Sequence, residues 1–423
     1  MTAPATAGLK AGILAVGSEL LDPLRRETNA LHITRKLREI GVGVELRAVV
    51  ADDLEQLEWA FRAALARCDV VIATGGLGPT EDDLTREAAA AALGRALRRD
   101  ETLVSELKAR FAQYARVMAP VNEKQADLIE QAVALRNRRG TAPGQRIEAD
   151  GRLLFLLPGP PSEMEPMFEE HVLPALRERA GDWVLVTRVL RIASMAESDV
   201  EQLTAPIYKA CTNPRTTILG SAGQTELHLT AGGASREEAE QRALELAARL
   251  REALPGRIYS EDGQELNQVV AALLLERRLT LAVAESCTAG AIAARLTEVP
   301  GASAFLERAY VTYSNRSKLE LLGVGSRILE TAGAVSEEAA RGMAEGARRA
   351  AGTDIGLAVT GIAGPSGGSP EKPVGLVYLA LCGGLGDRVR RVHFPGDRQR
   401  VRTQACQAAL EMLRRGLLEL PPL

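Results

Sequence analysis

The sequence predicts an α/β protein of two or three domains, built on mostly parallel sheets. Three observations lead to this fold class. The chain has 423 residues, which is more than one ordinary hydrophobic core accommodates. Short apolar runs alternate with stretches of helical period, as in βαβ units. Glycine-rich polar segments follow several of these runs, and the ligands of such sheets bind beyond the carboxyl ends of the strands.

Composition and charge exclude several classes of protein. Hydrophobic residues make up 46% and charged residues 25% of the chain, as in a water-soluble globular protein. The net charge of −3 and the aromatic content of 3% argue against nucleic-acid binding. Five scattered cysteines without a CxxC pair predict neither disulfides nor a zinc site. We predict a cytoplasmic location, because no apolar run is long enough to span a membrane and Met1–Leu9 lacks the apolar region of a signal peptide.

Residues 1–175 form the first predicted domain. The predicted strands are Gly12–Val16, Val42–Val50, Asp69–Ala73 and Leu153–Leu157, and the predicted helices are Glu27–Ile40, Leu54–Ala66 and Thr85–Leu93. Two polar turns, Gly17–Asp22 and Thr74–Asp83, follow the first and third of these strands. Because the strands are expected to be parallel, the two turns should meet at one edge of the sheet.

The second of these turns combines glycines with acidic residues. Gly75, Gly76 and Gly78 let backbone N–H groups approach a phosphate. Asp82 and Asp83 would repel a bare phosphate, but they suit a divalent cation held between carboxylate and phosphate oxygens. They also suit the first turn of the next helix, whose dipole favours negative charge. The loop is not a P-loop, because the terminal Gly-Lys-Ser/Thr is missing.

Residues 176–258 predict a small α+β connecting domain. Strands are predicted at Trp183–Arg191 and Thr225–Thr230, and helices at Ser198–Tyr208 and Arg236–Ala253. The glycine pair within Ala231–Ala234 has no basic neighbour there, so it does not resemble an RNA-binding Gly-x-x-Gly loop. A spacer or a dimerisation module is the alternative role.

Residues 259–423 predict a third α/β domain, organised around one strand-to-helix turn. The apolar run Leu279–Ala284 predicts a buried strand, and Ala291–Val299 predicts the helix after it. The polar residues Glu285–Thr288 lie between them, where a helix N-terminus offers free N–H groups to an anion. Three further segments place polar residues after or beside apolar strands: Ala309–Lys318, Leu357–Pro373 and Phe394–Arg402.

Ser286 is a candidate nucleophile, but it needs a base to activate it. His393 is the histidine nearest to these segments, and it has no aspartate partner in the sequence, which argues against a Ser/His/Asp triad. Lys318 and Tyr313 are five residues apart. A lysine desolvated in a pocket has a lowered pKa and can accept the serine proton. Cys287 is an alternative nucleophile.

Each candidate also has a purely structural interpretation. Ser286 or Thr288 is a suitable N-cap for the following helix. Tyr313 suits sheet packing, and Lys318 suits a solvated helix face. The two arginines of the last segment, Arg398 and Arg402, suit either a substrate phosphate or a helix surface.

Five segments of the first domain form a series: Val16–Leu21, Glu27–Asn29, Thr74–Asp83, Gly140–Gly144 and Leu157–Pro161. This series resembles the N-terminal domain of the CinA family, a relative of the MoaB/MogA-like molybdopterin-binding fold. The resemblance implies a metal-dependent ADP-ribose pyrophosphatase that uses Mg, Mn or Co. It implies metal ligands at Asp82 and Asp83. It implies nucleotide or phosphate contacts at Glu19, Asn29, Thr74, Gly75, Gly76, Gly78 and Thr80.

Six segments of the third domain form a second series: Ala284–Gly290, Val311–Lys318, Gly333–Glu337, Val359–Gly368, Lys372–Gly375 and Gly396–Arg398. This series resembles the CinA C-terminal domain of the PncC type, and the connecting domain resembles the family's KH-like domain. The resemblance implies hydrolysis of nicotinamide mononucleotide (NMN) to nicotinic acid mononucleotide and ammonia, without a metal ion, in pyridine nucleotide recycling. It implies Ser286 as the nucleophile, with Tyr313 and Lys318 as base and proton relay. It implies substrate contacts at Glu285, Thr288, Thr360, Gly361, Gly364, Gly367, Arg398 and Arg402.

Two other functions stay open beside this two-site nucleotide hydrolase. The family is named for competence and DNA damage, so an accessory or nucleotide-binding protein with vestigial sites is the main alternative. Molybdopterin binding by the first domain rests on fold analogy alone. The expected partners are NMN, ADP-ribose and a second copy of the chain in a homodimer, with no membrane and no nucleic acid.

Overall fold

The structure is a computed structural model that describes residues 8–113, 115 and 117–422. The signal-peptide prediction for residues 1–9 therefore falls mostly outside the described residues. The chain divides into two compact units, Met1–Val186 with Ala231–Gln241 and Thr187–Thr230 with Arg242–Leu423. The domain boundaries at residues 175 and 258 stay predictions. Within the described ranges, no helix combines the length and apolar character that crossing a membrane requires.

A six-stranded sheet organises the first unit. The strands of this part of the chain are β1 Lys10–Val16, β2 Gly43–Val50, β3 Val70–Thr74, β4 Leu97–Arg99, β5 Asp127–Ile129, β6 Val133–Leu135, β7 Gly144–Ala149 and β8 Arg152–Leu157. The helices are α1 Asn29–Glu39, α2 Leu54–Arg67, α3 Thr85–Leu93, α4 Glu101–Gln113, α5 Pro161–Met167 and α6 Leu173–Ala180. The strand order is β2-β1-β3-β8-β7-β6, with β4 and β5 in a separate pair. Strands β2, β1, β3 and β8 are parallel to one another. Strands β7 and β6 add antiparallel pairings at one edge.

The central strands of this sheet are apolar on both faces because helices cover both faces. All five residues of β3 are buried. Val71 packs in one core with Phe61 of α2, whereas Ile72 packs in the other core with Ile33 of α1. This burial fixes the strand ends, and with them the positions of the polar turns.

The connecting segment forms a four-stranded sheet. Its elements are β9 Val184–Ala193, α7 Glu197–Tyr208, β10 Arg215–Ser221, β11 Gln224–Gly233, α8 Arg236–Ala253 and β12 Ile258–Ser260. The strand order is β10-β11-β9-β12, and β10 pairs with β11 as an antiparallel hairpin. Leu190, Leu229 and Leu250 are among the residues of its core. The α+β character predicted for this segment is confirmed.

The last part of the chain forms a five-stranded mixed sheet. Its elements are α9 Leu266–Arg277, β13 Leu281–Glu285, α10 Ala291–Thr297, β14 Leu306–Val311, α11 Asn315–Leu322, α12 Ser326–Thr331, α13 Glu337–Ala351, β15 Ile355–Gly361, β16 Leu376–Gly383, β17 Arg388–His393 and α14 Arg398–Leu417. The strand order is β14-β13-β15-β16-β17. Strands β14, β13 and β15 are parallel to one another. Strand β16 pairs antiparallel with β15, and β17 pairs antiparallel with β16. The carboxyl ends of β13, β14 and β15 therefore share one edge, which carries the candidate site.

Candidate active site

The turn after β13 is fixed to the strands on either side of it. Glu285 is in register with Val311 of β14 and with Val359 of β15. The N–H group of Ser286 donates to the carbonyl oxygen of Val359 at 2.9 Å. The N–H group of Thr312 donates to the carbonyl oxygen of Glu285 at 2.8 Å. These bonds hold Ser286 beside the segment that follows β14.

Lys318 lies against Ser286 in a buried pair. Its Nζ atom donates to Ser286 Oγ at 3.2 Å and to the carbonyl oxygen of Thr312 at 2.7 Å. Lys318 is 1% exposed and Ser286 is 9% exposed. Burial lowers the pKa of the Lys318 amine from its ordinary value, because the charged form loses hydration. A neutral lysine within hydrogen-bond distance of a serine hydroxyl is able to accept its proton.

Cys287 and Thr288, which follow Ser286, contribute backbone N–H groups and a thiol to the turn. The N–H groups of Cys287 and Thr288 donate to no oxygen atom of the described chain, so they suit an oxyanion that forms at Ser286. The Cys287 side chain is buried, and burial raises the pKa of its thiol to about 12. The thiol is therefore protonated at neutral pH, which argues against Cys287 as the nucleophile.

Glu285 has a different role from the substrate contact that was predicted. The residue is fully buried. Its carboxylate accepts hydrogen bonds from the N–H groups of Gly290 at 2.9 Å, Ile292 at 3.2 Å and Ala293 at 3.0 Å. The first turn of α10 leaves these donors without a helical partner, and the negative charge favours that end of the helix. Glu285 therefore holds the turn in place and does not face a substrate.

The Tyr313 hydroxyl makes no hydrogen bond to Ser286 or Lys318 in the described residues, so the structure does not bring it into the predicted proton relay. Tyr313 is 59% exposed, and its hydroxyl accepts a hydrogen bond from Arg398 at 2.9 Å. Only its backbone carbonyl approaches Lys318 Nζ, at 3.5 Å. The side chain points away because the guanidinium group of α14 provides its hydrogen-bond partner.

The glycine loop after β15 is joined to the same arginine. Arg398 donates to the carbonyl oxygen of Gly364 at 2.9 Å. Gly361 ends β15, and Gly367 lies further along the loop. Thr360 is fully buried, and its hydroxyl donates to a backbone carbonyl at 2.7 Å. Thr360 thus anchors the chain at the end of β15 and is not open to a substrate.

Three arginines line a cavity of about 440 Å³ beside α10 and α14: Arg295, Arg398 and Arg402. No acidic residue of the described chain lines this cavity. Arg402 also donates to the carbonyl oxygen of Thr288 at 2.8 Å, which connects α14 to the turn that carries Ser286. The side chain of Thr288 is fully buried, and its hydroxyl has no hydrogen-bond partner. The cavity therefore suits an anionic group of a ligand.

The candidate residues of the first unit surround a cavity of about 310 Å³. The predicted residues that line it are Glu19, Gly75, Gly76, Gly78, Asp82 and Asp83. Asn29, Thr74 and Thr80 are not lining residues. Asn29 donates to Thr74 Oγ1 at 2.9 Å and to the carbonyl oxygen of Gly159 at 2.7 Å, so it fixes the glycine loop to the turn after β8.

The two aspartates of the glycine loop differ in what they can hold. The Asp83 carboxylate accepts hydrogen bonds from the N–H groups of Gly78 and Thr80, at 2.8 Å each, and from the Thr80 hydroxyl. It therefore closes the loop. Asp82 is exposed at the cavity. Among the described residues, no three His, Cys, Asp or Glu side chains are placed to share a metal ion. A divalent cation bound at Asp82 would therefore need substrate phosphate or water oxygens to complete its ligands.

Three family models match the chain in succession. They are described as a probable molybdopterin binding domain over residues 12–178, a damage-inducible protein CinA KH domain over 187–260 and a CinA C-terminal domain over 263–417. The CinA-like protein of Solibacter usitatus is 46% identical over 407 residues, which are 96% of this chain and 98% of that protein. The chain belongs to the CinA family. The predicted family and the three-part α/β fold are thereby confirmed.

The chain is also similar to proteins of other organisms. The CinA-like protein of Acidobacterium capsulatum is 46% identical over 96% of this chain and 100% of its own length. The crystal structure of the competence/damage inducible protein CihA from Agrobacterium tumefaciens is 43% identical. That match covers 35% of this chain and 91% of the other, with a TM-score of 0.34.

Two arginines near the cavities described above were not predicted from the sequence. Arg295 lines the arginine cavity, and its only sequence signal is its place one turn into α10. Arg86 is 1% exposed and donates to the carbonyl oxygens of Leu77 at 2.9 Å and Gly78 at 2.8 Å. The sequence signal for Arg86 was its position as a lone arginine in the alanine-rich helix α3. These two hydrogen bonds from Arg86 hold the glycine loop in place.

The role of Glu285 predicts a local loss of stability when its charge is removed. Glu285→Gln leaves one acceptor oxygen for three N–H donors and buries an amide NH₂ group, at a cost of about 2 kcal/mol. We expect amide hydrogen exchange in residues 286–297 to become about tenfold faster or more. Hydrogen–deuterium exchange mass spectrometry measures this effect, with Glu330→Gln on the exposed surface of α12 as the control. Equal exchange in both variants would rule out the anchoring role.

Proposed function

We propose that the C-terminal part of the chain hydrolyses the carboxamide of NMN to nicotinic acid mononucleotide and ammonia. The observation that carries this proposal is the 3.2 Å hydrogen bond from Lys318 Nζ to Ser286 Oγ in a buried site. A lysine with a lowered pKa is the base that a serine nucleophile needs where histidine is lacking. The match to the CinA C-terminal domain model supports the same conclusion.

The reaction proceeds by acyl transfer at Ser286. Lys318 takes the hydroxyl proton as Ser286 Oγ bonds to the carboxamide carbon. The N–H groups of Cys287 and Thr288 stabilise the negative charge that develops on the carboxamide oxygen. Lys318 then gives its proton to the amide nitrogen, the C–N bond breaks, and ammonia leaves. Water cleaves the resulting ester with Lys318 again as the base, which releases the carboxylic acid and restores Ser286.

The arginine cavity is the proposed site of the NMN phosphate. It carries three guanidinium groups and no acidic lining residue among those described. Arg402 is bonded to the carbonyl oxygen of Thr288, two residues after the nucleophile. A phosphate in this cavity would therefore orient the substrate with respect to Ser286. Formation of nicotinic acid mononucleotide and ammonia in equal amounts tests the activity, and intact NMN after incubation with the purified protein would refute it.

A second activity is proposed for the cavity of the first unit. It is the hydrolysis of ADP-ribose to AMP and ribose 5-phosphate, in which water cleaves the pyrophosphate bond. Gly76 and Leu77 line the cavity, and their N–H groups donate to no acceptor in the described residues, so these groups suit phosphate oxygens. A divalent cation, when bound, would neutralise charge on the pyrophosphate. Asp82 is the proposed protein ligand.

Two neighbouring carboxylates provide a matched test of this second activity. Asp82 lines the cavity, whereas the adjacent Glu81 is exposed and does not line it. We expect Asp82→Asn to lower metal-dependent ADP-ribose hydrolysis about a hundredfold, because one carboxylate ligand is lost. Glu81→Gln should stay within about twofold of wild type, since a surface charge change matters little. AMP formation with and without Mg²⁺ measures both, and an equal loss in the two variants would refute the Asp82 assignment.

A further inference from the structure

We propose that a cavity between the β10–β11 turn, β17 and α14 binds a small anion that carries a phosphate or several carboxylates. The cavity has a volume of about 560 Å³ and lies within one compact unit. This volume is within the range of roughly 300–1,000 Å³ of small-molecule sites. The lining residues that bear on the argument are Glu197, Gly223, Arg390, His393, Arg400 and Gln404.

Positive charge exceeds negative charge at this cavity. Arg390 and Arg400 line it, and neither side chain has a hydrogen bond or ion pair to the rest of the described chain. Arg390 is partly buried, and burial together with the nearby Arg257 lowers the pKa of its guanidinium group. Glu197 is the one acidic residue among the described lining residues. Two guanidinium groups without an ion pair, one of them partly buried, favour a ligand with carboxylate or phosphate oxygens.

Two further groups on the cavity wall lack partners. Helix α7 has 12 residues, and no side chain caps its N-terminus at Ala196, which lines the cavity. Its free N–H groups and its dipole favour an anion. Gln404 is only 9% exposed, yet its buried amide oxygen has no hydrogen-bond partner. The unpaired atom is a hydrogen-bond acceptor, so it suits a hydroxyl group of the ligand rather than its anionic oxygens.

The walls of the cavity are fixed by polar contacts between them. Gln224 Oε1 accepts hydrogen bonds from the Tyr259 hydroxyl at 2.9 Å and from Gln407 Nε2 at 3.0 Å. Gly223 approaches α14 so closely that an added Cβ atom would lie 2.9 Å from Gln407 Cβ. The β10–β11 turn is thus docked on α14 in one position. The cavity is therefore a preformed site, which lowers the entropic cost of binding.

This cavity is separate from the one assigned to the NMN phosphate. The proposed phosphate ligands Arg398 and Arg402 line the other cavity, whereas Arg400 and Gln404 line this one. Ser286 lines neither of them. Binding here therefore does not depend on the proposed hydrolysis, and a binding assay tests it independently.

Isothermal titration of the full chain with ribose 5-phosphate and, separately, with citrate tests the proposal. We expect at least one of these probes to show a binding event that weakens about tenfold or more in both Arg390→Met and Arg400→Gln. Arg391→Met is the matched control, because Arg391 is the exposed neighbour on β17 and does not line the cavity. Its affinity should stay within about twofold of wild type.

The results of this titration distinguish a phosphate ester from a polycarboxylate, and some of them would overturn the proposal. Binding of ribose 5-phosphate alone identifies a phosphate ester, and binding of citrate alone identifies a polycarboxylate. Arg400 is exposed, so Arg400→Gln is expected to fold even if Arg390→Met does not. The proposal is overturned if neither probe binds, if Arg400→Gln binds like wild type, or if Arg391→Met weakens binding equally.

Discussion

Replacing Ser286 with alanine is expected to lower ammonia release from NMN by about a thousandfold or more. The variant removes the oxygen that forms the acyl bond, while Lys318 and the N–H groups of the turn remain. Ser286 is 9% exposed and donates its backbone N–H to Val359, so the smaller side chain leaves the turn in place. Ammonia release under saturating NMN measures the effect.

Cys287 provides the control for this experiment, because it is the adjacent candidate nucleophile. Its thiol is buried and its pKa is raised to about 12. We expect Cys287→Ala to keep its rate within about fivefold of wild type, since only packing is lost. If ammonia release survived in Ser286→Ala and were lost in Cys287→Ala, Cys287 would be the nucleophile.

Replacing Lys318 with methionine is expected to reduce NMN hydrolysis to a similar extent. Methionine fills the buried space of the lysine stem but cannot accept the serine proton. Lys318→Arg should be equally inactive, because a guanidinium group stays protonated. Tyr313→Phe is the matched control, since its hydroxyl bonds Arg398 and neither Ser286 nor Lys318; we expect a higher KM with nearly unchanged kcat. Thermal unfolding of each variant shows whether the fold is retained.

The pH dependence expected of NMN hydrolysis by the wild-type protein follows from the same residue. Burial lowers the pKa of Lys318 below its ordinary value of 10.5. The neutral amine is the active form, so kcat/KM should fall as pH drops through this lowered pKa and should level off above it. The residual activity of Lys318→Met should lack this dependence. If Lys318→Met kept the wild-type pH profile, Lys318 would not be the base.

The strand ends were predictable because burial fixes them. The apolar runs that became β3, β13 and β15 are continuous in the sequence, and polar residues begin where each run stops. Parallel pairing then places Ser286 next to the segment that leads to Lys318. Helix α13 was not predicted, although Ser336 caps it through a hydrogen bond from Ala339. Its small apolar residues, mostly alanines, gave a weak apolar signal.

Side-chain direction was not predictable from local sequence. Tyr313 and Lys318 are close in the chain, yet the tyrosine hydroxyl bonds Arg398, which is 85 residues away. The family resemblance implied a substrate contact at Glu285, but the unpaired N–H groups of α10 bind its carboxylate. In both cases a partner distant in sequence, or the geometry of a helix end, decides the role. Neither is visible in a strand-and-helix pattern.

Ammonia release from NMN by the wild-type protein in excess EDTA is the most direct test of the central claim. The serine–lysine pair needs no metal ion in the proposed reaction, so chelation leaves the rate unchanged. We expect steady release of one ammonia for each nicotinic acid mononucleotide formed. No release from the folded protein, or release that EDTA abolishes, would contradict a serine–lysine amidase.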